Sequence, residues 1–474
     1  MPPTPSIAEL VGEYQGRESI AAGEAFEVTS ENIDARTIRK ELSTGLKVAL
    51  VPKKTRGESV RLRLTLRYGT AESLAKLSTA AELLPSLMVR GAGDLSRQDI
   101  QDKLDQLKST LSQTGNAGDL TFTLQTRRES LPEVLELLKT ILRKPTLPED
   151  ELEIIRNAMV TNYAQQKTDP LSLARTAVSR RLSDYPPEDV RYVASIPERI
   201  ERWEAVKRSE VARLYSEFLG GQHGELSVVG DFDVDETLPR LEALVSGWTT
   251  STPYGRIAKE GDVEVTSDRE AINTPDKDNA VYLAGTVLPM NDANADYPAV
   301  LMANYVLGSS GLSSRLGDRV RQKEGLSYGV GSFVNASPID TRATLLVYAI
   351  TNPLNIGKVE TAIREELQRL IDDGITQDEL DAARTGYLQN QLVERSDDGE
   401  IARLLNENLQ AGRTMDFHAG LERELAKLTP ERVHEVLKKH VAVDDIGVVV
   451  AGDFNKQAAT EEAAVGGQEG APAP

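Results

Sequence analysis

From Leu46 onward, apolar and polar positions follow two rhythms that alternate along the chain. Lys47-Val48-Ala49-Leu50-Val51-Pro52 is a short apolar run, and Val60, Leu62, Leu64, Leu66 and Tyr68 alternate with Arg61, Arg63, Thr65 and Arg67. A period of two marks a strand with one buried face. Amphipathic spacing then predicts long helices over about 77–90, 97–108, 129–143 and 149–167. Between the second and third lies Thr110 to Leu124, whose Gly115-Asn116-Ala117-Gly118 centre predicts an antiparallel hairpin. Helices over about 171–184 and 197–219 follow. The strand Leu226-Ser227-Val228-Val229 then runs into Gly230-Asp231-Phe232.

The second half replays this order. Val448-Val449-Val450-Ala451 runs into Gly452-Asp453-Phe454, and Glu151-Leu152 with Arg156 is matched by Glu379-Leu380 with Arg384, again on a helix after a turn. Two landmarks in one order at a shared offset imply duplication. Helical periodicity stops in Ser246 to Gly255, where turn formers cluster. The expected division is an N-terminal arm or connector over 1–36, domains over 37–252 and 253–457, and a low-complexity, disordered tail over 458–474.

Composition narrows the function. Hydrophobic residues at 39% and charged residues at 27% suit two folded domains with cores of their own. A net charge of −19 sets the average field against nucleic acid and anionic membranes. No apolar run approaches the roughly 18–20 residues that span a bilayer. Met1-Pro2-Pro3-Thr4-Pro5-Ser6 lacks the features of a signal peptide. The expected location is therefore cytoplasmic as the sequence stands, or periplasmic for a piece of a longer exported precursor. Cysteine is absent, so disulfides, thiolate ligands and cysteine nucleophiles are excluded.

Only four histidines are present: His223, His418, His434 and His440. His434-Glu435 opens like a zinc-binding His-Glu-x-x-His helix, but the position that needs the second histidine holds Lys438. His440 falls on a different helix face, so both histidines are expected to be solvated. His-x-x-Glu-His is missing, as is the Gly-x-Ser-x-Gly of a serine hydrolase. Gly308-Ser309-Ser310-Gly311 lacks a P-loop ending and reads as a helix-to-helix turn. The expectation is no metal bound by this chain.

One stretch stands out. A basic helix over about Ser314–Glu324 should end at Gly325 and turn into a strand near Leu326, placing Arg321 and Tyr328 to face one cleft. A guanidinium and a phenol together suit polarising a peptide carbonyl, because both donate to the oxygen that becomes negative in a tetrahedral intermediate. Residue chemistry also allows a bland reading, in which the arginine serves the helix dipole and the tyrosine packs.

Ser314-Arg315-Leu316 followed by Arg321-Gln322-Lys323-Glu324-Gly325-Leu326-Ser327-Tyr328 resembles the second-domain signature of the pitrilysin/insulinase family of metallopeptidases. The resemblance spans roughly 37–457 and implies an α+β fold of two tandem homologous domains, each an antiparallel sheet of about five or six strands covered by long helices. It implies that Arg321 and Tyr328 bind and polarise the scissile peptide. Anchored on Gly91, the family's two metal histidines fall on Glu82 and Ser86, its general-base glutamate on Pro85, and its third ligand near Asn162. Relatives of this kind are zinc-free halves that close over a chamber with a zinc-bearing partner. The implied role is substrate binding and oxyanion stabilisation in trans, with zinc supplied by a partner subunit or N-terminal half carrying His-x-x-Glu-His. The alternative is a non-enzymatic scaffold or peptide-binding subunit of a larger complex.

Overall fold

A computed structural model describes residues 22–455 except Thr266. The expected tail and the beginning of the expected arm lie outside the described residues. The first half runs α1 (Ser30–Arg36), β1 (Ile38–Glu41), β2 (Lys47–Pro52), β3 (Ser59–Arg67), α2 (Ser78–Met88), a ribbon of β4 (Gly91–Ala92) and β5 (Leu95–Ser96), α3 (Arg97–Gln106), β6 (Thr110–Asn116), β7 (Asp119–Arg127), α4 (Leu131–Arg143), α5 (Glu149–Gln166), α6 (Pro170–Arg181), α7 (Ile196–Ala205), α8 (Arg208–Arg213), β8 (Gly224–Gly230) and α9 (Val234–Val245). The apolar positions of the sequence do what their period requires. Val60, Leu62, Leu64 and Leu66 are buried on one face of β3. Helix α4 meets the same core with Leu131, Val134, Leu135, Leu138, Ile141 and Leu142. Each such side chain contributes about 1.5–3 kcal/mol on full burial.

The second half runs β9 (Arg269–Asn273), β10 (Ala280–Leu288), α10 (Tyr297–Asn304), β11 (Ser327–Ala336), β12 (Ala343–Thr351), α11 (Ile356–Asp373), α12 (Gln377–Glu394), α13 (Asp398–Ala411), α14 (Asp416–Lys427), α15 (Pro430–His440) and β13 (Gly447–Gly452). The strands form a six-stranded sheet, β1-β2-β8-β3-β7-β6, and a five-stranded sheet, β11-β12-β10-β13-β9. Each is antiparallel except for one pair, β2 with β8 and β9 with β13. The strands of each pair are separated by most of their half of the chain, helices and further strands included, and a long connection of this kind allows strands to run parallel. The duplication extends to individual bonds. Arg90 pairs with Glu151 at 2.7 Å, and Arg315 with Glu379 at 2.7 Å. Arg156 donates to the carbonyl of Val206, and Arg384 to that of Leu428.

The halves exchange helices. Beyond α6, Leu182 joins Ala174 and Val178 of that helix in covering Val281, Leu283, Val449 and Ala451 of the second sheet. Helix α13 returns the cover with Ile401, Ala402, Leu404 and Leu405 against Ala49, Val51 and Val229 of the first sheet. Asn406 of α13 accepts from the Thr65 hydroxyl at 2.9 Å and donates to the carbonyls of Arg63 and Glu225 at 3.3 and 3.0 Å. Within the expected arm, α1 is tied in: Ile33 is fully buried, the Ser30 hydroxyl donates to Glu422, and Asp34 accepts from the Met415 amide. No described helix is long and apolar enough to cross a membrane.

The two helix histidines are not solvated as expected. His434 lies 2.9 Å from the Ile371 carbonyl, and His440 lies 2.7 Å from Asp296 with its side chain 11% exposed. Both faces of α15 meet protein because α10 and α11 flank it, an arrangement that helical periodicity alone does not reveal.

Candidate functional site

The basic stretch forms a helical turn that widens to π-helical geometry over Gly317–Lys323. Such segments recur at functional sites because the extra residue per turn re-aims side chains. Gly325 closes it with φ +60°, and the Leu326 amide returns to the Val320 carbonyl at 2.9 Å. The turn therefore delivers the chain directly into β11.

Ion pairing distinguishes the cations of this segment. Arg315 forms two hydrogen bonds with the Glu379 carboxylate, at 2.7 and 2.8 Å, and one with the Gly374 carbonyl at 2.9 Å. Arg319 reaches Glu324, Glu365 and Glu366, and Lys323 reaches Asp318. Arg321 is exposed, and among the described residues its side chain has no carboxylate partner and no hydrogen bond.

Tyr328 is the extra residue of a β-bulge. Ser327 pairs with Thr351 and Gly329 with the next position, Ile350, so Tyr328 has no partner on β12. The Ser327 hydroxyl pins the bulge, donating to the Ile350 carbonyl at 2.7 Å and accepting from the Gly329 amide at 3.2 Å. Bulges beside active sites commonly re-aim a side chain. Here the phenol is 70% exposed. Among the described residues its hydroxyl makes no hydrogen bond. Sequence reasoning identified Arg321 and Tyr328 but missed Ser327, whose role depends on the register with β12.

The other candidate positions separate. Glu82 lines a cavity of about 450 Å³ between the halves, with Arg67, Asp119, Tyr254, Lys259 and Asp340 among its walls. Loss of water contact inside this concavity pushes the Glu82 carboxyl pKa up, against the pull of Arg199 and Arg202. Pro85 is buried within α2, where Gly115 of β6 permits the close approach: a Cβ there would lie 2.7 Å from both the Ala81 carbonyl oxygen and Pro85 Cγ. Ser86 is half-buried, and exposed Asn162 accepts from Gln166 at 2.7 Å. Neither Arg321 nor Tyr328 lines the Glu82 cavity. That cavity meets the far end of β11, at Ser337–Asp340. A strand of this length spans roughly 30 Å.

Zinc requires imidazole, thiolate or carboxylate ligands. Of the four positions only Glu82 supplies one, and the Pro85 ring has no group that accepts a proton. Among the described residues no cluster of three or more histidine, aspartate or glutamate side chains is placed to share a metal ion. The residues present do not fit a zinc ion.

Residues 205–387 match the family profile described as Peptidase M16 inactive domain. The chain is 23% identical over 399 residues to the Helicobacter pylori protein named Non-peptidase homolog YmxG, covering 83% of this chain and 89% of that one. Its fold is similar to the crystal structure of a peptidase M16 inactive domain from Pseudomonas fluorescens, with a TM-score of 0.76 and 21% identity over 88% of this chain and 97% of the other. It also resembles the periplasmic protease PqqL from Escherichia coli, with a TM-score of 0.66 and 13% identity, covering 91% of this chain but 46% of that longer one. With two tandem sheets of matching topology and the signature from Ser314 to Tyr328, these likenesses make the chain similar to the M16 peptidases, the pitrilysin and insulinase family, and the profile match itself falls on residues 205–387.

Proposed function

We propose that this chain is the zinc-free half of a two-part peptidase, and that it presents Arg321 and Tyr328 to a peptide carbonyl held by a zinc-bearing partner. The observation that carries the reading is two unengaged donors seven residues apart: a guanidinium that has no carboxylate among the described residues in a segment whose other cations are paired, and a phenol turned into solvent by a pinned bulge. Donors aimed at a developing oxyanion are worth most when they need no reorganisation. Among the described residues, Arg321 and Tyr328 have no internal bonds to break. The partner's His-x-x-Glu-His would supply the metal and the water-activating carboxylate. Coverage of less than half of the Escherichia coli protease is in keeping with a half-molecule.

The test is reconstitution. The chain alone should bind no stoichiometric zinc and cleave no fluorogenic peptide. With a homologous His-x-x-Glu-His subunit it should co-purify and cleave in a chelator-sensitive way. Tight zinc and hydrolysis by the chain alone would overturn the proposal. The name of the Helicobacter pylori relative favours a second reading, a non-catalytic peptide-binding subunit. That reading predicts a stable complex whose turnover is indifferent to Arg321 and Tyr328.

A further inference from the structure

The cavity of about 450 Å³ that Glu82 lines takes its walls from α2, the turn between β6 and β7, the connector at residues 254–259 and the loop at residues 337–340 beyond β11. The connector is strapped to both halves. The Gly255 amide donates to the Gly69 carbonyl at 2.9 Å, the Lys259 amide to Asp340 at 3.1 Å, and Arg191 to the Ala258 carbonyl at 2.8 Å. The cavity is therefore held in shape by the fold, and its volume lies in the range of small-molecule sites.

Its charged walls do not balance. Arg67 is bound by Glu225 at 2.9 Å, Arg191 by Asp189 at 2.7 Å and Arg256 by Asp340 at 2.6 Å. Glu82, Asp119 and Lys259 remain, and among the described residues the side chain of none of them forms an ion pair. Desolvation pushes both carboxyl pKa values up, against the more distant pull of Arg199 and Arg202 on Glu82 and of Arg67, Arg63 and Lys259 on Asp119, which also accepts from the Asn116 side chain. A carboxylate stripped of water without a hydrogen-bonded cation is costly, and a cationic ligand would relieve it. Polar groups are in reserve as well: among the described residues the side chains of Ser78, Tyr254 and Gln410, all in the wall, make no hydrogen bond.

Two negative charges and one positive are left over, and a basic amino acid carries the reverse. We propose that this cavity binds a free basic α-amino acid, its α-ammonium and side-chain cation meeting Asp119 and Glu82 and its carboxylate turned to Lys259. A diamine would satisfy the two carboxylates but would leave Lys259 facing a cation, which is the reason to favour the amino acid. Neither Arg321 nor Tyr328 lines the cavity, so the inference goes beyond the proposed function and stands without it.

The test is isothermal titration calorimetry of the full chain with L-lysine, which should fill one saturable site. Nα-acetyl-lysine and norleucine each lack one cation and cadaverine lacks the carboxylate, so each should bind about tenfold more weakly or worse. Glu82→Gln and Asp119→Asn should weaken lysine binding to the same degree, and Lys259→Met should erase the preference for lysine over cadaverine. Absence of saturable binding by lysine and arginine alike would overturn the proposal, as would lysine affinities of Glu82→Gln and Asp119→Asn within about twofold of wild type. Cadaverine binding as tightly as lysine would overturn it by giving the cavity to a diamine, and Nα-acetyl-lysine binding as tightly would do so by giving it to the end of a peptide. The titration is read without the zinc partner, so lysine binding by a chain whose reconstituted complex stays inactive would sink the two-part peptidase and leave this site standing.

Discussion

Tyr328→Phe removes one oxygen and nothing else, which makes it the sharpest perturbation of the proposed chemistry. The hydroxyl has no hydrogen bond among the described residues and the side chain is 70% exposed, so folding stability should stay within about 0.5 kcal/mol of wild type. The bulge is held by the Ser327 hydroxyl and the β12 backbone, so the ring should keep its place. Catalysis is where the loss should appear. Removing a single oxyanion donor typically costs about 10²- to 10³-fold in kcat, or about 2.7–4 kcal/mol. The assay is kcat and KM of the reconstituted complex on a fluorogenic peptide, with assembly followed by sedimentation. The expected result is a fall of about 100-fold or more in kcat, a KM within about threefold, and unchanged assembly. Arg321→Ala should act on the same oxygen, so the double variant should lose less than the product of the single losses. A Tyr328→Phe complex that assembles and turns over within about threefold of wild type would refute the reasoning.

Three further outcomes follow from named bonds. Asn406→Ala breaks three hydrogen bonds between α13 and the first sheet, two of them buried and one part-buried; at about 1 kcal/mol each it should cost about 3 kcal/mol in urea unfolding, and a loss below about 1 kcal/mol would mean that the exchanged helix is held by apolar contacts alone. Glu82 keeps surface open to the cavity, but the surrounding walls strip water from its carboxyl and raise its pKa, so stability falls as pH rises from the unfolded value of about 4.3 and the loss is complete above the raised folded value. Glu82→Gln should therefore raise Tm at pH 7, and that gain should vanish in acid, where wild-type Glu82 is protonated. Lys439 above all, with His440 and Arg432, holds the Asp296 carboxyl at about 2 against desolvation. Its stabilisation is complete above the unfolded value of about 3.9 and is lost as pH falls through about 2. Asp296→Asn should lower Tm at pH 6 and flatten the acid limb between about pH 4 and pH 2, and parallel limbs would contradict this assignment.

β3 and α4 were legible because each buries chiefly one face and one-sided burial writes a period into the sequence, whereas β2 and β10, covered on both faces, read as unbroken apolar runs. β3 alternates cleanly, and α4 repeats its leucines on one side. Duplication was legible from Glu151/Arg156 and Glu379/Arg384. Their duties, toward Arg90 and the Val206 carbonyl in one half and toward Arg315 and the Leu428 carbonyl in the other, were not. Exchange of α6 and α13 left no mark, because a helix needs the same apolar stripe whichever sheet it covers. At the site, Arg321 and Tyr328 were found through a motif, whereas the bulge depends on Ser327 meeting Thr351 across strands.

The strongest argument that the pair acts outside its own chain comes from charge supply. The sequence holds 74 acidic residues against 55 lysines and arginines, so an arginine on this surface has carboxylates in excess to choose from. Its neighbours take them: Arg315 binds Glu379, Arg319 gathers three glutamates, and Lys323 uses Asp318. If Arg321 served only the helix dipole, a nearby carboxylate would cost the fold nothing and would add the few tenths of a kcal/mol typical of an exposed pair. Such a pair would, however, occupy the guanidinium needed by an incoming carbonyl and place a negative charge where an oxyanion must form, which is the electrostatic opposite of catalysis. Placing an acidic residue four positions on from Arg321, by Gly325→Asp read against Gly325→Asn as the control for the φ of +60° that either side chain must adopt there, therefore separates the two readings. On the dipole reading Gly325→Asp and Gly325→Asn give the same complex. On the oxyanion reading Gly325→Asp has the lower kcat at the same Tm, and equal kcat values would return Arg321 to the surface it sits on.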